Sequence, residues 1–380
     1  MDKKSSEKDI LHLWLDSFEI IGNTSKRRLI NELGDIQSVY EASLKVLSGI
    51  IPEEKARLLA ENKSLAQANE RWEYLVEKNI DIVYPEHKSY PVKLKNIHDI
   101  PDILYIKGRL KAVLDEQNRS IGIVGSRNAD TYGRELAYSY GRELSKSGIS
   151  IISGMALGID GMAHRGALST DGYTVAVLGG GIDVIYPREN YDIYDELEKR
   201  GAIISEYGPG VVPMPMRFPL RNRIISGLSD GVLVVEAKKK SGSLITADLA
   251  LDQGRSIYAI PGRIGDKESA GTNNLIKQGA MCVTTPQDII DDLNLYSDNP
   301  IHMADEKDAD EPEENSVDNL NGNEKTLLDI LSLEPVYIDE IIKAMRLNVS
   351  DCLKLLYTME EKGIIRQVIK GYYIVNLSPK

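Results

Sequence analysis

Hydrophobic residues recur at helical spacing through the first part of the chain. Ile10, Leu11, Trp14, Leu15 and Phe18 share one face of a predicted helix. The same spacing predicts further helices over residues 26–33, 38–44, 53–62 and 65–76. Short helices joined by glycine-containing turns are typical of a small SAM-like or helix-hairpin-helix bundle, and we place this domain at residues 1–65.

One turn of this bundle allows two interpretations. Gly22 is followed by Lys26, Arg27 and Arg28, and the turn of a helix-hairpin-helix could hold a DNA backbone with such residues. The alternative, which we favour, is the solvated basic start of an ordinary helix.

The middle of the chain alternates short apolar runs with helical patterns. Seven runs are β-branched and apolar without polar alternation, as expected for buried parallel strands. They are Ile121–Val124, Ile149–Ile152, Thr174–Leu178, Ala202–Ile204, Val232–Val235, Ser256–Ala259 and Met281–Val283. Helical stretches lie between them, so the pattern predicts the α/β class with a doubly wound, mostly parallel sheet.

The last part reads as three helices followed by a hairpin around Lys370 and Gly371. This order predicts a winged-helix domain at residues 322–378, whose third helix would ordinarily enter a DNA groove. That predicted helix carries Asp351, Glu360 and Glu361 against Lys354 and Lys362, an acidic balance that suits phosphate poorly. We therefore favour a protein contact over DNA reading for this helix.

Composition places the chain among globular proteins. Of its 380 residues, 42% are hydrophobic and 27% are charged, and no apolar run reaches the about 18 residues of a membrane span. The charged start predicts no secretory signal. Cys282 and Cys352 are too few for a disulfide framework or a structural zinc site. We expect a cytoplasmic protein without a metal or a cofactor.

The net charge of −12 argues at first against a nucleic-acid partner. Its distribution removes the objection, because residues 296–321 hold nine acidic residues and one lysine. This composition predicts a disordered acidic linker at residues 297–321, which marks a domain boundary. As a hypothesis, the linker competes with DNA for a basic segment of the middle domain.

Glycine-containing turns follow three successive predicted strands. They are Gly125-Ser126-Arg127, the stretch from Ser153 to Asp160, and the run of Gly179, Gly180 and Gly181 ahead of Asp183. Carboxyl ends of parallel strands meet at one edge of the sheet. Amides at a helix start and an arginine side chain can both hold a phosphate there. One such turn is ordinary, but three in succession favour an anion site.

The most basic segment spans residues 215–243, with six basic and two acidic residues. Arg221, Asn222 and Arg223 stand at the start of a predicted helix over 222–228, and Lys240 precedes Ser241, Gly242 and Ser243. The alternative interpretation is a solvated basic face.

Catalytic patterns are missing from the sequence. It has no phosphate-binding G-x-x-x-x-G-K-[ST], no G-x-G-x-x-G opening the first helix of the sheet and no H-E-x-x-H. His164 is expected to pack in a helix, and Asp160 and Asp183 are expected to cap helices and brace loops. The residues favour holding a phosphate chain over breaking a bond.

Eight ordered motifs resemble the DNA-processing protein A family (DprA, also called Smf). Besides Gly125-Ser126-Arg127 they are YPVKLKNIHDIPDILYIKG, SGMALGID, GGGIDVIYP, SEYGPG, FPLRNRIISGLSDGVLVVEA, KSGSLITA and GTNNLIKQGA. The resemblance covers about residues 80–295. It implies an extended Rossmann-like domain, which we place at residues 66–296 between the SAM-like and winged-helix domains.

The resemblance also implies a function. Such a protein is not an enzyme; it binds single-stranded DNA, protects incoming DNA during natural transformation, loads the RecA recombinase and forms a homodimer through the Rossmann-like domain. The implied DNA-binding residues are Gly125, Ser126, Arg127, Gly179, Gly181, Arg221, Asn222, Arg223, Lys240, Ser241, Gly242 and Ser243.

Two further expectations depend on the same region. Tyr132, Tyr186 and Phe218 are the candidates for stacking on a base. The alternative function is that of a nucleotide phosphoribohydrolase-like enzyme on a similar sheet, for which Glu206 and Glu236 are the plausible acids.

Overall fold

The computed structural model describes residues 6–110, 118–295, 320–331 and 335–375. Its first described residues form six helices, whereas the spacing predicted five, because the stretch predicted as one helix over 38–44 is divided between two short helices. The six are α1 (Glu7–Asp16), α2 (Asn23–Leu33), α3 (Ile36–Glu41), α4 (Leu44–Ser48), α5 (Glu53–Glu61) and α6 (Ala66–Glu77). A capping box starts α1, because the Ser6 hydroxyl accepts the Asp9 amide and the Asp9 carboxylate accepts the Ser6 amide.

The helical region packs directly on the sheet that follows. Trp14, Leu15 and Leu29 are buried in the same hydrophobic cluster as Tyr105 and Ile203, which lie on two of the strands. A shared core fixes the helices against one edge of the sheet. The boundary placed at residue 65 stays a prediction, since the core runs across it.

A nine-stranded sheet forms the centre of the molecule and confirms the predicted α/β class. Its strands are β1 (Asp81–Val83), β2 (Leu104–Gly108), β3 (Ser120–Val124), β4 (Ser150–Ser153), β5 (Thr174–Leu178), β6 (Ala202–Ser205), β7 (Gly231–Val234), β8 (Ser256–Ala259) and β9 (Met281–Cys282). The order is β1-β2-β6-β5-β4-β3-β7-β8-β9. The stretch from β6 to β9 is parallel, and β1 and β2 are antiparallel at one edge.

The strand order creates a switch point beside β3. From β3 the chain adds β4, β5 and β6 on one side, and then returns to place β7, β8 and β9 on the other. The loops after β3 and β7 therefore diverge at the carboxyl edge of the sheet, which is where ligands bind in such folds.

Seven helices cover the two faces of the sheet. They are α7 (Thr131–Lys146), α8 (Ile159–Leu168), α9 (Tyr191–Arg200), α10 (Arg217–Leu228), α11 (Gly242–Asp252), α12 (Ala270–Lys277) and α13 (Pro286–Asn294). The pair α7 and α8 packs backbone against backbone, because a Cβ atom at Gly141 or Gly166 would collide with a carbonyl of the other helix. Of the helices described in the structure, none is both long and apolar enough to span a bilayer.

The C-terminal part has the helix and strand order of a winged helix. It contains α14 (Gly322–Ile330), β10 (Val336–Tyr337), α15 (Ile338–Met345), α16 (Val349–Glu361), β11 (Ile365–Ile369) and β12 (Tyr372–Val375). The strands form a small antiparallel sheet around a core that includes Leu327, Ile341 and Leu356. An ion pair between Arg366 and Glu135 joins this part to α7. The predicted acidic linker falls on residues 297–321, of which 297–319 lie outside the described residues.

Candidate functional site

A pocket of about 640 Å³ opens at the switch point of the sheet. Its wall is built by the loops that follow β3, β4, β5, β6 and β7 and by the N-terminal parts of α10 and α11. The lining residues include Gly125, Ser126, Arg127, Asn128, Ala156, Asp160, Tyr186, Pro213, Phe218, Arg221, Asn222, Lys238, Lys240, Ser241, Gly242, Ser243 and Thr246. The volume is in the range of pockets that hold a nucleotide-sized ligand.

The loop after β3 brings Arg127 to the mouth of the pocket. The Ser126 amide donates to the carbonyl of Glu236 at 2.8 Å, and the Ser126 carbonyl accepts the amide of Ile159 at 3.2 Å. A Cβ atom at Gly125 would lie 3.0 Å from the Glu236 carbonyl oxygen and closer still to Ile159, so this turn requires glycine. Arg127 is exposed, and the loop holds its backbone from both sides.

Arg221 lies at the floor of the same pocket. The side chain is only 3% exposed, and its Nη1 donates to the carbonyl of Val177 at the end of β5. Burial and the nearby Arg127 guanidinium lower the pKa of Arg221 to about 10, while Asp160 opposes the shift. The guanidinium therefore stays charged at neutral pH, and its buried Nε has no hydrogen-bond partner.

The structure corrects the predicted start of the helix that carries Arg221. Helix α10 begins at Arg217, five residues before the predicted start at Asn222. Arg221, Asn222 and Arg223 therefore lie within a helix, where residues two apart point in different directions. Arg221 and Asn222 line the pocket, and Arg223 does not.

Arg223 is committed to carboxylates on the other side of α10. Its Nε donates to Asp99 at 3.1 Å, and its Nη2 donates to Glu206 at 2.6 Å. Asn23 at the start of α2 donates to the same Glu206 carboxylate at 2.6 Å. Arg223 thus anchors α10 to the helical region, in contrast to its predicted place among the ligand-binding residues.

The start of α11 forms the neighbouring wall. The Ser241 hydroxyl accepts the amide of Ser243 at 3.4 Å and lies 2.7 Å from the Ser243 hydroxyl. The amides at this helix start favour an anion. Lys240 makes no ion pair with any residue that the structure describes, whereas Lys238 is paired with Glu268 at 2.8 Å. The predicted group from Lys240 to Ser243 is therefore brought together beside Arg221.

Gly179 and Gly181 are buried behind the pocket and do not line it. A Cβ atom at Gly179 would lie 2.8 Å from the ring of Phe218, so this glycine makes room for the ring. The Gly181 amide donates to the carbonyl of Val211 at 2.7 Å. These two glycines shape the site, and the structure does not place them as direct anion donors.

Phe218 is the centre of a cationic and aromatic cluster. The guanidinium carbons of Arg127 and Arg221 lie 5.0 Å and 5.9 Å from the centroid of its ring. The ring of Tyr186 lies 5.9 Å away at an angle of 37°. Tyr186 is 51% exposed, so its ring is accessible. The third stacking candidate, Tyr132, does not line the pocket.

The candidate acids are used inside the protein. Asp160 accepts the Gly154 amide at 3.2 Å, and Asp183 accepts the Gly210 amide at 2.7 Å, so both brace loops. Burial raises the pKa of Asp160, against the effect of Arg221. Glu206 is bound to Arg223, and neither it nor Glu236 lines the pocket.

His164 has the packing role that its position predicted. The side chain is fully buried, and its Nδ1 lies 2.7 Å from the hydroxyl of Thr174. Burial lowers the pKa of His164 to about 3, with Arg221 acting in the same direction. The imidazole is therefore neutral at ordinary pH.

The basic residues after Gly22 are not the solvated helix start that we favoured, because Lys26 is 4% exposed and all three cations are paired. Lys26 lies 3.5 Å from Asp16, Arg27 is 2.8 Å from Glu86, and Arg28 is 3.1 Å from Glu32. Each cation is thus matched by a carboxylate, which leaves little charge for a DNA backbone.

The rim of the pocket was missed by the sequence analysis. Val212, Pro213 and Pro215, in the loop after β6, line the pocket. Two prolines within a few residues restrict the backbone of this segment. That restriction is the signal that could have marked the segment as a rigid wall.

Residues 81–294 match the family described as DNA recombination-mediator protein A. DNA processing protein DprA of Bacillus subtilis is 44% identical over 217 residues, which is 57% of this chain and 72% of that protein. Protein Smf of Escherichia coli is 37% identical over 304 residues, which is 78% of this chain and 80% of that protein.

Two solved structures are similar over most of their own length. DNA processing protein A from Streptococcus pneumoniae superposes with a TM-score of 0.66 at 32% identity, over 76% of this chain and 98% of that one. DNA processing protein A from Helicobacter pylori, solved to describe its single-stranded DNA binding mode, gives a TM-score of 0.51 at 32% identity. It covers 56% of this chain and 95% of that one.

Proposed function

The chain belongs to the DNA recombination-mediator protein A family, and from that premise we propose that it binds single-stranded DNA in the pocket at the switch point. The observation that carries the proposal is the pair of arginines around Phe218. Arg127 stands exposed at the mouth and Arg221 lies buried at the floor, both within 6 Å of one aromatic ring.

The two arginines need an anion to balance them. The Arg127 guanidinium disfavours the charged form of Arg221, and Asp160 is the carboxylate that favours it. A phosphate between them would receive charge-assisted hydrogen bonds, which are stronger than neutral ones. The amides at the start of α11 and Lys240, which has no ion pair among the described residues, would hold a neighbouring phosphate.

The aromatic side chains favour a single strand over a duplex. Tyr186 and Phe218 offer ring faces beside the arginines, and stacking a base on such a ring contributes about 1–3 kcal/mol. Bases in a duplex are already stacked on each other, so only an unpaired strand can present them to this cluster.

We propose a binding role over a catalytic one. The acids available to a phosphoribohydrolase-like enzyme, Glu206 and Glu236, lie outside the pocket. Release of a free base from nucleoside monophosphates would support the phosphoribohydrolase-like activity. DNA binding without release of a free base would support the binding role.

The wider role extends the same proposal. We propose that the protein protects incoming DNA during natural transformation, loads the RecA recombinase onto it, and acts as a homodimer in the cytoplasm. The family resemblance supports each of these points. Size-exclusion chromatography with light scattering measures the oligomeric state, and RecA filament growth on coated DNA measures loading.

For the winged-helix part we propose a protein contact. Val349, Leu353 and Tyr357 form an exposed apolar stripe at four-residue spacing on α16. Lys362, one of the two lysines of this segment, is bound to Glu324 at 2.6 Å. Substitution of the other lysine, Lys354→Ala, should leave DNA affinity unchanged.

The deciding experiment compares the affinity for labelled single-stranded and double-stranded oligonucleotides by fluorescence anisotropy. Arg127→Ala should weaken single-strand binding and reduce the slope of log K against log salt by about 0.7, the share of one phosphate. Arg57→Ala removes the same charge from an exposed position on helix α5 and is the matched control. Equal loss in both variants would count against the pocket.

A further inference from the structure

A single acidic residue outside the pocket holds both ends of the loop that carries Arg127. Glu236 follows β7 and is 5% exposed. Its backbone carbonyl accepts the amide of Ser126 at 2.8 Å, and its Oε2 accepts the amide of Asp130 at 3.3 Å. The four-residue step from Ser126 to Asp130 is therefore fastened at each end to Glu236, with Arg127 between the two attachments.

The sequence makes a specific space for this carboxyl group. A Cβ atom at Gly133 would collide with Oε2 of Glu236, so the carboxyl group inserts where helix α7 has no side chain. A glycine inside a helix costs about 1 kcal/mol relative to alanine. Asp130 caps the same helix, and its carboxylate accepts the Gly133 amide at 2.8 Å. This contact holds the backbone amide of Asp130 in line with the Glu236 carboxyl group.

A second carboxyl group meets Glu236 in the protein interior. Glu236 Oε1 and Glu268 Oε2 are both buried without a donor, and the two groups are close enough to share a hydrogen bond. Two ionised carboxylates would repel each other here, whereas one proton between them supplies the missing donor. The other Glu268 oxygen is held by Lys238 at 2.8 Å.

We propose that a proton shared by Glu236 and Glu268 keeps the Arg127 loop in its binding position, so that affinity for single-stranded DNA falls when this proton is lost. Glu236 is a positioning residue in this account. The inference rests on the proposed function of the pocket and adds a proton-linked control to it.

The charged groups around Glu236 set the pH range of the transition. Asp130 faces it from the start of α7, Glu268 faces it from the loop before α12, and Lys238 reaches it through Glu268. Burial, and then the charge of Asp130, raise the pKa of Glu236 to about 7; the hydrogen bond from the Asp130 amide opposes the shift, and Glu268 adds to it. The proton is therefore bound below neutral pH and released above it.

Release of the proton has a structural consequence at the loop. Two buried oxygens then face each other without a donor, and an unpaired buried charge is costly. The Glu236 side chain relieves this by leaving the space at Gly133, which frees the Asp130 amide and one end of the loop. Arg127 then loses its fixed direction toward the pocket.

The test is the pH profile of oligo(dT) affinity by fluorescence anisotropy, from pH 5.5 to 8.5 at constant ionic strength. We expect the affinity of the natural protein to fall at least about threefold between pH 6 and 8.5, with an upper limit of about tenfold per pH unit. Glu236→Gln keeps an acceptor for Asp130 and a permanent donor for Glu268, so it should hold the low-pH affinity throughout.

The control Glu53→Gln removes the same charge from an exposed position on helix α5 and should keep the natural pH profile. The salt dependence separates positioning from simple repulsion. If the loop is released, the slope of log K against log salt should shrink by about 0.7 at pH 8.5, the share of one phosphate contact. A slope that stays constant while affinity falls contradicts the loop mechanism.

Two results overturn the proposal, namely a flat pH profile of the natural protein or a Glu236→Gln variant that keeps the natural pH dependence. If Glu236→Gln does not fold, Glu268→Gln replaces it, and its transition must move to lower pH. An unmoved transition rejects the shared proton. Absence of DNA binding at every pH would instead reject the proposed function.

Discussion

Phe218 lies at the centre of the pocket, and its replacement by leucine separates ring stacking from charge. Leucine keeps the apolar volume against Gly179, where the ring now packs, and removes the π face. Phe218→Leu should lower affinity for single-stranded DNA without removing a phosphate contact.

The magnitude follows from two interactions of the ring. Stacking of one base contributes about 1–3 kcal/mol. The guanidinium of Arg127, 5.0 Å from the ring centroid, contributes about 0.5–1 kcal/mol at an exposed site. A base and Arg127 share the ring, so the losses overlap, and we expect a decrease of about 5- to 150-fold from 1–3 kcal/mol.

The assay is fluorescence anisotropy of a labelled oligo(dT) over a series of salt concentrations. Phe218→Leu should shift the line of log K against log salt downward with its slope unchanged, because no cation is lost. Arg127→Ala should change the slope. A Phe218→Leu variant with natural affinity, or with a reduced slope and a small shift, would refute the stacking role.

Three further substitutions test the surroundings of the pocket. Gly154→Ala places a Cβ atom against the guanidinium of Arg221 and should weaken oligo(dT) binding by about tenfold or more in the anisotropy assay. Arg223→Ala leaves Glu206 buried without its cation and should destabilise the fold by about 3–5 kcal/mol in urea unfolding. Its DNA salt slope should stay natural, and a reduced slope would restore Arg223 to the pocket. The pKa of Glu236 is raised to about 7 in the fold, so the free energy of unfolding of the natural protein falls as pH rises from about 4.5 to 7. Glu236→Gln should therefore be more stable than the natural protein by about 1–3 kcal/mol at pH 8, and equally stable at pH 4.5, as measured by urea unfolding.

The sheet could be predicted from the sequence because its strands are buried on both faces. All seven predicted strands are present, since a run such as Thr174–Leu178 is apolar throughout. The antiparallel edge strands β1 and β2 were not predicted. Three residues of β1 are too few to show a period, and β2 lies in a stretch that was assigned only by its family motif.

The site was predicted less completely because helix geometry decides which side chains meet. Pro219 stands in the first turn of α10, where a missing amide costs nothing, and it concealed the true helix start at Arg217. Because the helix begins earlier than predicted, Arg221 and Arg223 both lie inside it and point to different sides. The roles of Gly179 and Gly181 depend on packing against Phe218 and Val211, which no local pattern reveals.

The switch point has a consequence for how the protein is made. Val124 of β3 pairs with Val234 of β7, so the centre of the sheet joins residues more than a hundred positions apart in the chain. Such non-local pairing forms late, because the intervening chain must be closed first. On the ribosome, the segment containing Arg127 emerges well before Arg221 and Lys240. A nascent chain that ends before Arg221 and Lys240 therefore lacks the complete pocket, which forms only together with the finished sheet.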